Sequence, residues 1–236
     1  MTIRNVNSTQ SSIPYGIFLD NSTLGGTLAA CEISNNSIFN ITSTSTSTTS
    51  AILYGMRIDV GSGTSATVFN NEVYNFTPPA PASAQTAQYV RAIAVNVGGS
   101  GGVVTLAHNG VSIGSGLSGN QLKVTTTCLY LSGGMATLRN NIFANLTPSQ
   151  TTSKHYALVI PAGTASGSSR NLYYAPNTNG VMASASGADC ATLPIFAAAI
   201  SGVPPVDGAE SGSANANPQF TSATSLTFTG ATPAAL

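Results

Sequence analysis

Asp20 and Asp59 each follow a five-residue apolar phrase, "YGIFL" at Tyr15–Leu19 and "YGMRI" at Tyr54–Ile58, and Arg57 lies one alternation before Asp59. If the two phrases stack as neighbouring strands, the carboxylates stand about 5 Å apart. Carboxylates that close share a proton, bind a cation or are neutralised by a base. One outcome is a Ca²⁺-assisted lyase site with Arg57 as the base, or a paired-acid hydrolase site. The other is a solvated Asp/Asn edge with Arg57 neutralising it. Calcium takes about six to eight oxygens and only two carboxylates are in view, so no metal ligand is assigned. Phe18, Tyr130 and Asn96 fall on the same outward rows and are the candidate ligand contacts. Two aromatics three coils apart do not by themselves make a sugar platform. His155 precedes a strand beside Lys154 with no identifiable partner. No Gly-x-Ser-x-Gly phrase occurs, and "GGSGG" at Gly98–Gly102 lacks the Lys-Ser/Thr of a phosphate loop.

What must position these residues is a repeat. The five-residue phrase recurs as "RAIAV" (Arg91–Val95), "TCLYL" (Thr127–Leu131) and "YALVI" (Tyr156–Ile160), always with a small second residue and a glycine turn soon after, such as Gly25-Gly26. A second phrase, Thr-aliphatic-x-Asn, alternates with it at Thr2, Thr67 and Thr137, with looser copies at Glu32 and Thr105. Period-two alternation turns Ile17, Met56, Ile93, Leu129 and Leu158 to one side, and Ile3, Ile33, Val68, Leu106 and Leu138 to another. Outward rows then read Phe18, Arg57, Ala94, Tyr130, Val159 and Asp20, Asp59, Asn96, Ser132, Pro161. Units of two or three short strands bury their apolar faces only by stacking. The expected fold is all-β, a right-handed parallel β-helix of about five coils over residues 1–167. Residues 168–236 form a closing coil and cap, with a short helix at Leu193–Ile200 covering the open end.

Asparagines 36, 71, 109 and 141, followed by Asn171, recur once per coil. They read as a glycan-binding ladder or, more simply for one amide per coil, as an internal ladder of stacked side chains. His108 reads as a polar stand-in within that series. The Asn-x-Thr triplets at Asn40, Asn75 and Asn145 match a glycosylation pattern that the repeat already explains. Variable loops such as "TSTSTSTTS" (Thr42–Ser50) and "TPPAPASAQTAQ" (Thr77–Gln88) leave at one corner.

Charged residues are 6% of the 236 and the formal net charge is zero, which excludes a nucleic-acid-binding face. No apolar run is long enough to cross a bilayer, and the first residues are not a signal peptide. Three cysteines at spacings that match no zinc pattern read as small apolar fillers.

The stacked Asn-Asn rungs, with Asn171-Leu172-Tyr173-Tyr174, Thr192-Leu193, Asn217-Pro218-Gln219-Phe220 and Thr232-Pro233-Ala234 in that order, resemble secreted bacterial right-handed parallel β-helix repeat proteins of the pectate-lyase-like superfamily. The likeness runs over essentially the whole chain. Asn217 stands where an Asp is common, and Pro194 interrupts the helix start. Relatives often continue past this point into a sorting or anchoring module, so the chain is expected to be a fragment. The resemblance implies an exported, cell-surface protein and no single activity. Two functions follow as expectations. One is a non-catalytic, monomeric extracellular module, adhesin-like or a stalk, that contacts polysaccharide. The other is a fragment of a polysaccharide lyase or glycosidase. No cofactor is expected, Ca²⁺ being the one candidate and only for the lyase.

Overall fold

The computed structural model describes residues 1–8, 13–21, 30–44, 52–79, 89–98, 101–114, 116–148, 153–165, 167–201, 210–222 and 225–228. The Gly25-Gly26 turn, most of both variable loops and Thr232-Pro233-Ala234 lie outside them. The chain winds as a parallel β-solenoid. Its first turn is β1 (Thr2–Ser8), β2 (Tyr15–Asn21) and β3 (Ala30–Ser34). The second is β4 (Ser37–Ser43), β5 (Ile52–Val60) and β6 (Ser65–Phe69), and the third is β7 (Glu72–Thr77), β8 (Tyr89–Val97) and β9 (Val103–Ala107). Then β10 (Gly110–Ile113) leads into β11 (Thr125–Arg139), a 15-residue strand that forms two sides of the solenoid at once. After β12 (Ile142–Asn145) and β13 (His155–Thr164) the third side narrows to a bridge between Arg139 and Ser169. The solenoid therefore has three regular three-strand turns followed by fused and shortened ones, where the repeat predicts about five coils. Beyond it lie β14 (Leu172–Tyr174), β15 (Gly180–Ala185), β16 (Ala188–Cys190), helix α1 (Leu193–Ser201) and a hairpin of β17 (Phe220–Ser222) and β18 (Ser225–Phe228).

Three faces result. The first runs β1-β4-β7-β10-β12-β14, the second β2-β5-β8-β11-β13-β15-β16, and the third β3-β6-β9 with the second half of β11. On the second face Ile17, Met56, Ile93, Leu129 and Leu158 stack in register as one column, fully buried except at the Ile17 end. On the third, Ile33, Val68, Leu106 and Leu138 do the same. Ile3 does not join them; it belongs to the first face and pairs with Ile38. The N-terminal "TIRN" phrase copies Ser37–Asn40, not the third-face strands. Each buried Ile, Leu or Met removes enough apolar surface to contribute about 1.5–3 kcal/mol. The cysteines fill gaps: Cys128 and Cys190 are buried, Cys31 is half-buried and all three are unpaired.

The small residue in each second-face phrase marks a bend. A Cβ on Gly55 would lie 2.4 Å from Val73 and 2.5 Å from the Ala92 carbonyl, so the strand turns its backbone into the core there. The first residue of the phrase consequently points outward, and the second and third both point in.

Each Asn-Asn pair divides its labour. The first member turns the corner in the left-handed region, with φ 56° at Asn35, 52° at Asn70 and 54° at Asn140. Asparagine tolerates that conformation better than most residues. The second member is buried and bonds to the next rung. Asn71 donates from its backbone N–H (3.2 Å) and its Nδ2 (3.0 Å) to Asn109 Oδ1, and its Nδ2 also donates to Ile33 O at 2.9 Å. Asn36 bonds to Asn71, Asn109 to Asn141, and Asn141 to Asn171 in the same way. His108 is not in this ladder. It occupies the exposed corner position with φ 56°, and Asn109 supplies the rung.

The ladder ends at a rung that the sequence does not advertise. Residues 210–214 return to the solenoid after α1, with bridges Ser169–Ser211 and Leu172–Ala214. Gly212 takes the left-handed corner (φ 70°), and Ser213 Oγ accepts the Asn171 backbone N–H at 2.9 Å. Buried Glu210 accepts from Asn171 Nδ2 at 3.4 Å and from the Tyr173 hydroxyl at 3.0 Å. Burial raises the Glu210 carboxyl above its ordinary range. Helix α1 starts as expected, with Pro194 in its first turn, where proline costs nothing. It seats Phe196 and Ile200 in the core, with Phe196 edge-on to Tyr173 at 5.7 Å.

Replacing Asn109 by Ala leaves the Asn71 N–H and amide without their acceptor, and Val68 O without its donor. We expect a loss of about 2–4 kcal/mol by urea denaturation followed by circular dichroism, whereas Asn140→Gly, which keeps the corner conformation, costs less than about 1 kcal/mol.

Candidate functional site

The bend at the small residue brings Tyr15 and Tyr54 to the outer side of the second face beside Phe18, Arg57, Arg91 and Tyr130, with Tyr15 half-buried and Tyr54 only 4% exposed beneath Arg57, Arg91 and Tyr15. Tyr15 stacks on Phe18 with ring centroids 5.0 Å apart and on Tyr54 at 5.2 Å. The Arg57 guanidinium lies 5.4 Å from the Phe18 ring and 5.7 Å from the Tyr54 ring. Arg91 lies 3.6 Å above the Tyr130 ring, and its Nη1 meets the Tyr54 hydroxyl at 3.5 Å. Guanidinium groups over aromatic faces gain cation–π attraction and stay extended across the sheet. A groove of about 240 Å³ is lined by Tyr54, Arg57, Arg91 and Tyr130 with Asp59, Asn96 and Ser132.

Arg57 and Asp59 are one unit. Arg57 Nε donates to both carboxylate oxygens at 3.1 and 3.2 Å, and Nη2 reaches Oδ2 at 2.9 Å. The hydrogen bonds to Asp59 raise the Arg57 pKa, and Asp59 is buried beneath them. Asp20 is the register neighbour of Asp59 and is exposed. The carboxylates are adjacent, but Asp59 points its oxygens at a guanidinium and not at an open substrate position. Arg91 differs: among the described residues no carboxylate pairs with it, and its Nε is buried without a partner. Among the described residues no group of three or more His, Cys, Asp or Glu side chains is arranged to hold a metal ion.

Phe18 is 49% exposed, Tyr130 is half-buried under Arg91, and Asn96 is exposed at the groove edge. These three candidates share one face, and Tyr15, Tyr54 and Arg91 join them into a continuous strip. The outer row is not continuous to its end. Ser132 pairs with Ala162 and not with Pro161, because β11 and β13 slip past one another between Tyr130 and Ser132. Asn36, Asn71, Asn109 and Asn141 are buried, and their side-chain amides bond along the ladder. Asn40 and Asn75 form a second, partly exposed ladder on the first face, Asn75 to Asn40 to Asn5, all three with φ near 58°. Strict alternation hid the strip because Tyr15 and Tyr54 count as inward residues unless the second-place bend is known.

His155 is wholly buried in the column Leu53, Val90, Thr126, His155. Its Nδ1 lies 3.0 Å from Thr126 Oγ1, which also touches Asn145 and Thr147, and its Nε2 has no partner. It therefore has a partner that the sequence does not name. Asn145, the third glycosylation-like asparagine, is consumed by this interior cluster.

The fold and the strip together define a parallel β-solenoid with an aromatic–arginine groove on one face. No protein-family model, no curated protein and no solved structure matches the chain.

Burial holds His155 neutral, lowering its pKa from 6.5 to about 4. The unfolded chain binds that proton first, so stability contributed by neutral His155 is lost as pH falls from about 6.5 towards 4, in total about 3 kcal/mol. Glu210 acts oppositely, since its raised carboxyl contributes stability below the ordinary carboxylate range and loses it as pH rises. The difference between wild type and His155→Gln in denaturant midpoint against pH isolates the histidine. We expect the wild type alone to lose that increment between pH 7 and 4.

Proposed function

We propose that this chain is a non-catalytic extracellular solenoid module, adhesin-like or a stalk, that binds polysaccharide along its second face. The observation that carries the reading is the strip Phe18–Tyr15–Tyr54 with Arg57 and Arg91–Tyr130, crossing the coils in register. The exposed Phe18 ring, held by half-buried Tyr15 on buried Tyr54, offers a flat apolar surface to the C–H faces of sugars, and guanidinium donors beside it reach their hydroxyls. Strands about 4.8 Å apart repeat such contacts along a face, which suits an extended polymer better than a single small molecule. The low charge of the chain and its resemblance to exported β-helix repeat proteins support a secreted or cell-surface setting of bacterial origin. The ion pair that occupies both oxygens of Asp59 favours binding over the lyase or glycosidase alternative, which needs that carboxylate to receive or give a proton.

Affinity electrophoresis through gels holding neutral or acidic soluble polysaccharides tests the proposal. We expect retardation in at least one gel, and its loss in the Phe18→Ala/Tyr130→Ala double variant with the solenoid's circular dichroism unchanged. Retardation in no gel, or equal retardation of the variant, overturns it. Release of new reducing or unsaturated ends that disappears in Asp59→Asn would establish the enzyme alternative.

A further inference from the structure

Two of the departures from the repeat fall in one coil. His108 stands where the neighbouring rungs have the corner asparagines Asn70 and Asn140. Two residues on, Gly110 stands in register with Glu72 and Ile142, whose side chains it lacks. The missing side chain is filled from outside: a Cβ on Gly110 would lie 3.0 Å from Leu226 Cδ1 of β18. The C-terminal hairpin has folded back along the solenoid and seats Leu226 on that gap. Asn217 starts this return, accepting the Gln219 N–H at 2.8 Å, and Gln219 takes a left-handed φ of 54° that sets Phe220 beside the corner. Between the hairpin and the corner lies a cavity of about 540 Å³, lined by Asn70, Glu72, His108, Asn140, Phe220 and Leu226 among others.

The lining has two characters. Phe220 and Leu226 form an apolar wall. The corner opposite presents two amides, an imidazole and a carboxylate, with Asn140 Nδ2 and His108 Nε2 3.4 Å apart. Such a site takes a ring with one apolar face and a rim of hydroxyls. The carboxylate of Glu72 accepts hydroxyl donors and repels an anion. The volume lies in the range of ordinary small-ligand sites and admits a ring of six atoms with its substituents. We propose that this pocket binds the ring of a neutral hexopyranose, with Phe220 against its C–H face and the Asn70–His108–Asn140 corner bonding its hydroxyls. It is separate from the strip on the second face and does not rest on it.

The chain has two histidines, and only His108 lines the pocket. Histidine-selective NMR therefore reads the site directly, with buried His155 as internal control. The methyl glycosides of glucose, galactose and mannose, and N-acetylglucosamine, are titrated separately into the full chain. We expect at least one to move the His108 ring signals saturably, with a dissociation constant of roughly millimolar size, while His155 stays still. Phe220→Ala weakens that titration by about tenfold, and Phe18→Ala/Tyr130→Ala leaves it unchanged. No shift of His108 with any of the four sugars overturns the proposal, as does an equal titration in Phe220→Ala. Loss of the shift in Phe18→Ala/Tyr130→Ala also overturns it, and assigns the sugar to the second face instead.

Discussion

A buried amide must have its hydrogen bonds made, and that requirement sets the spacing of this solenoid. Asn71, Asn109 and Asn141 each have an oxygen that accepts twice from the rung before and a nitrogen that donates to the rung after and to a backbone carbonyl. The bonds close only if successive coils lie one strand spacing apart and in register. An unmet buried amide costs more than a typical bond gains, so the ladder penalises slippage more than it rewards folding. Because the first asparagine of each pair bends the chain and the second anchors it, the corner and the register are fixed together. The loops between coils can then vary in length, as residues 44–52 and 79–89 do, without moving the faces.

The same requirement explains how the solenoid stops. The last ladder amide, Asn171, needs an acceptor for two donors that a further asparagine would have met with one oxygen. Ser213 and Glu210 share that role, one for the backbone N–H and the other for the side chain. A carboxylate is costly there, and burial shifts it towards its neutral form. Helix α1 covers the apolar end of the column beside it. Termination is thus half polar and half apolar, and both halves come from the same return of the chain.

The period of the strands, the inner column from Ile17 to Leu158, the amide ladder and the closing helix were all legible in the sequence. They follow from repetition and alternation, which need no knowledge of distant contacts. Misreadings arose where a local rule broke. Ile3 matched the third-face phrase in letters and belonged to the first face in register. His108 took the corner and not the ladder. Tyr15 and Tyr54 were hidden by a bend that a single small residue makes, and Arg91 by its place inside an apolar phrase. Glu210 and Ser213 depend on the return of the chain after α1, and the seat of Leu226 on Gly110 on a hairpin that reaches back to an earlier coil, neither of which periodicity encodes.

Both proposed binding sites lie where the repeat is broken or bent, because identical rungs can only stack. The aromatic strip exists because of the bends, and the pocket exists because two residues of one coil left the pattern. Both rest on the ladder holding every rung in place. Hydrogen exchange at the backbone amides of Asn36, Asn71, Asn109 and Asn141 tests that dependence most directly. If the ladder sets the register, these turn-position amides exchange only through global unfolding, as slowly as the strand amides of Ile93 and Leu129. Exchange at the rate of exposed turns, while those strands remain protected, would contradict it.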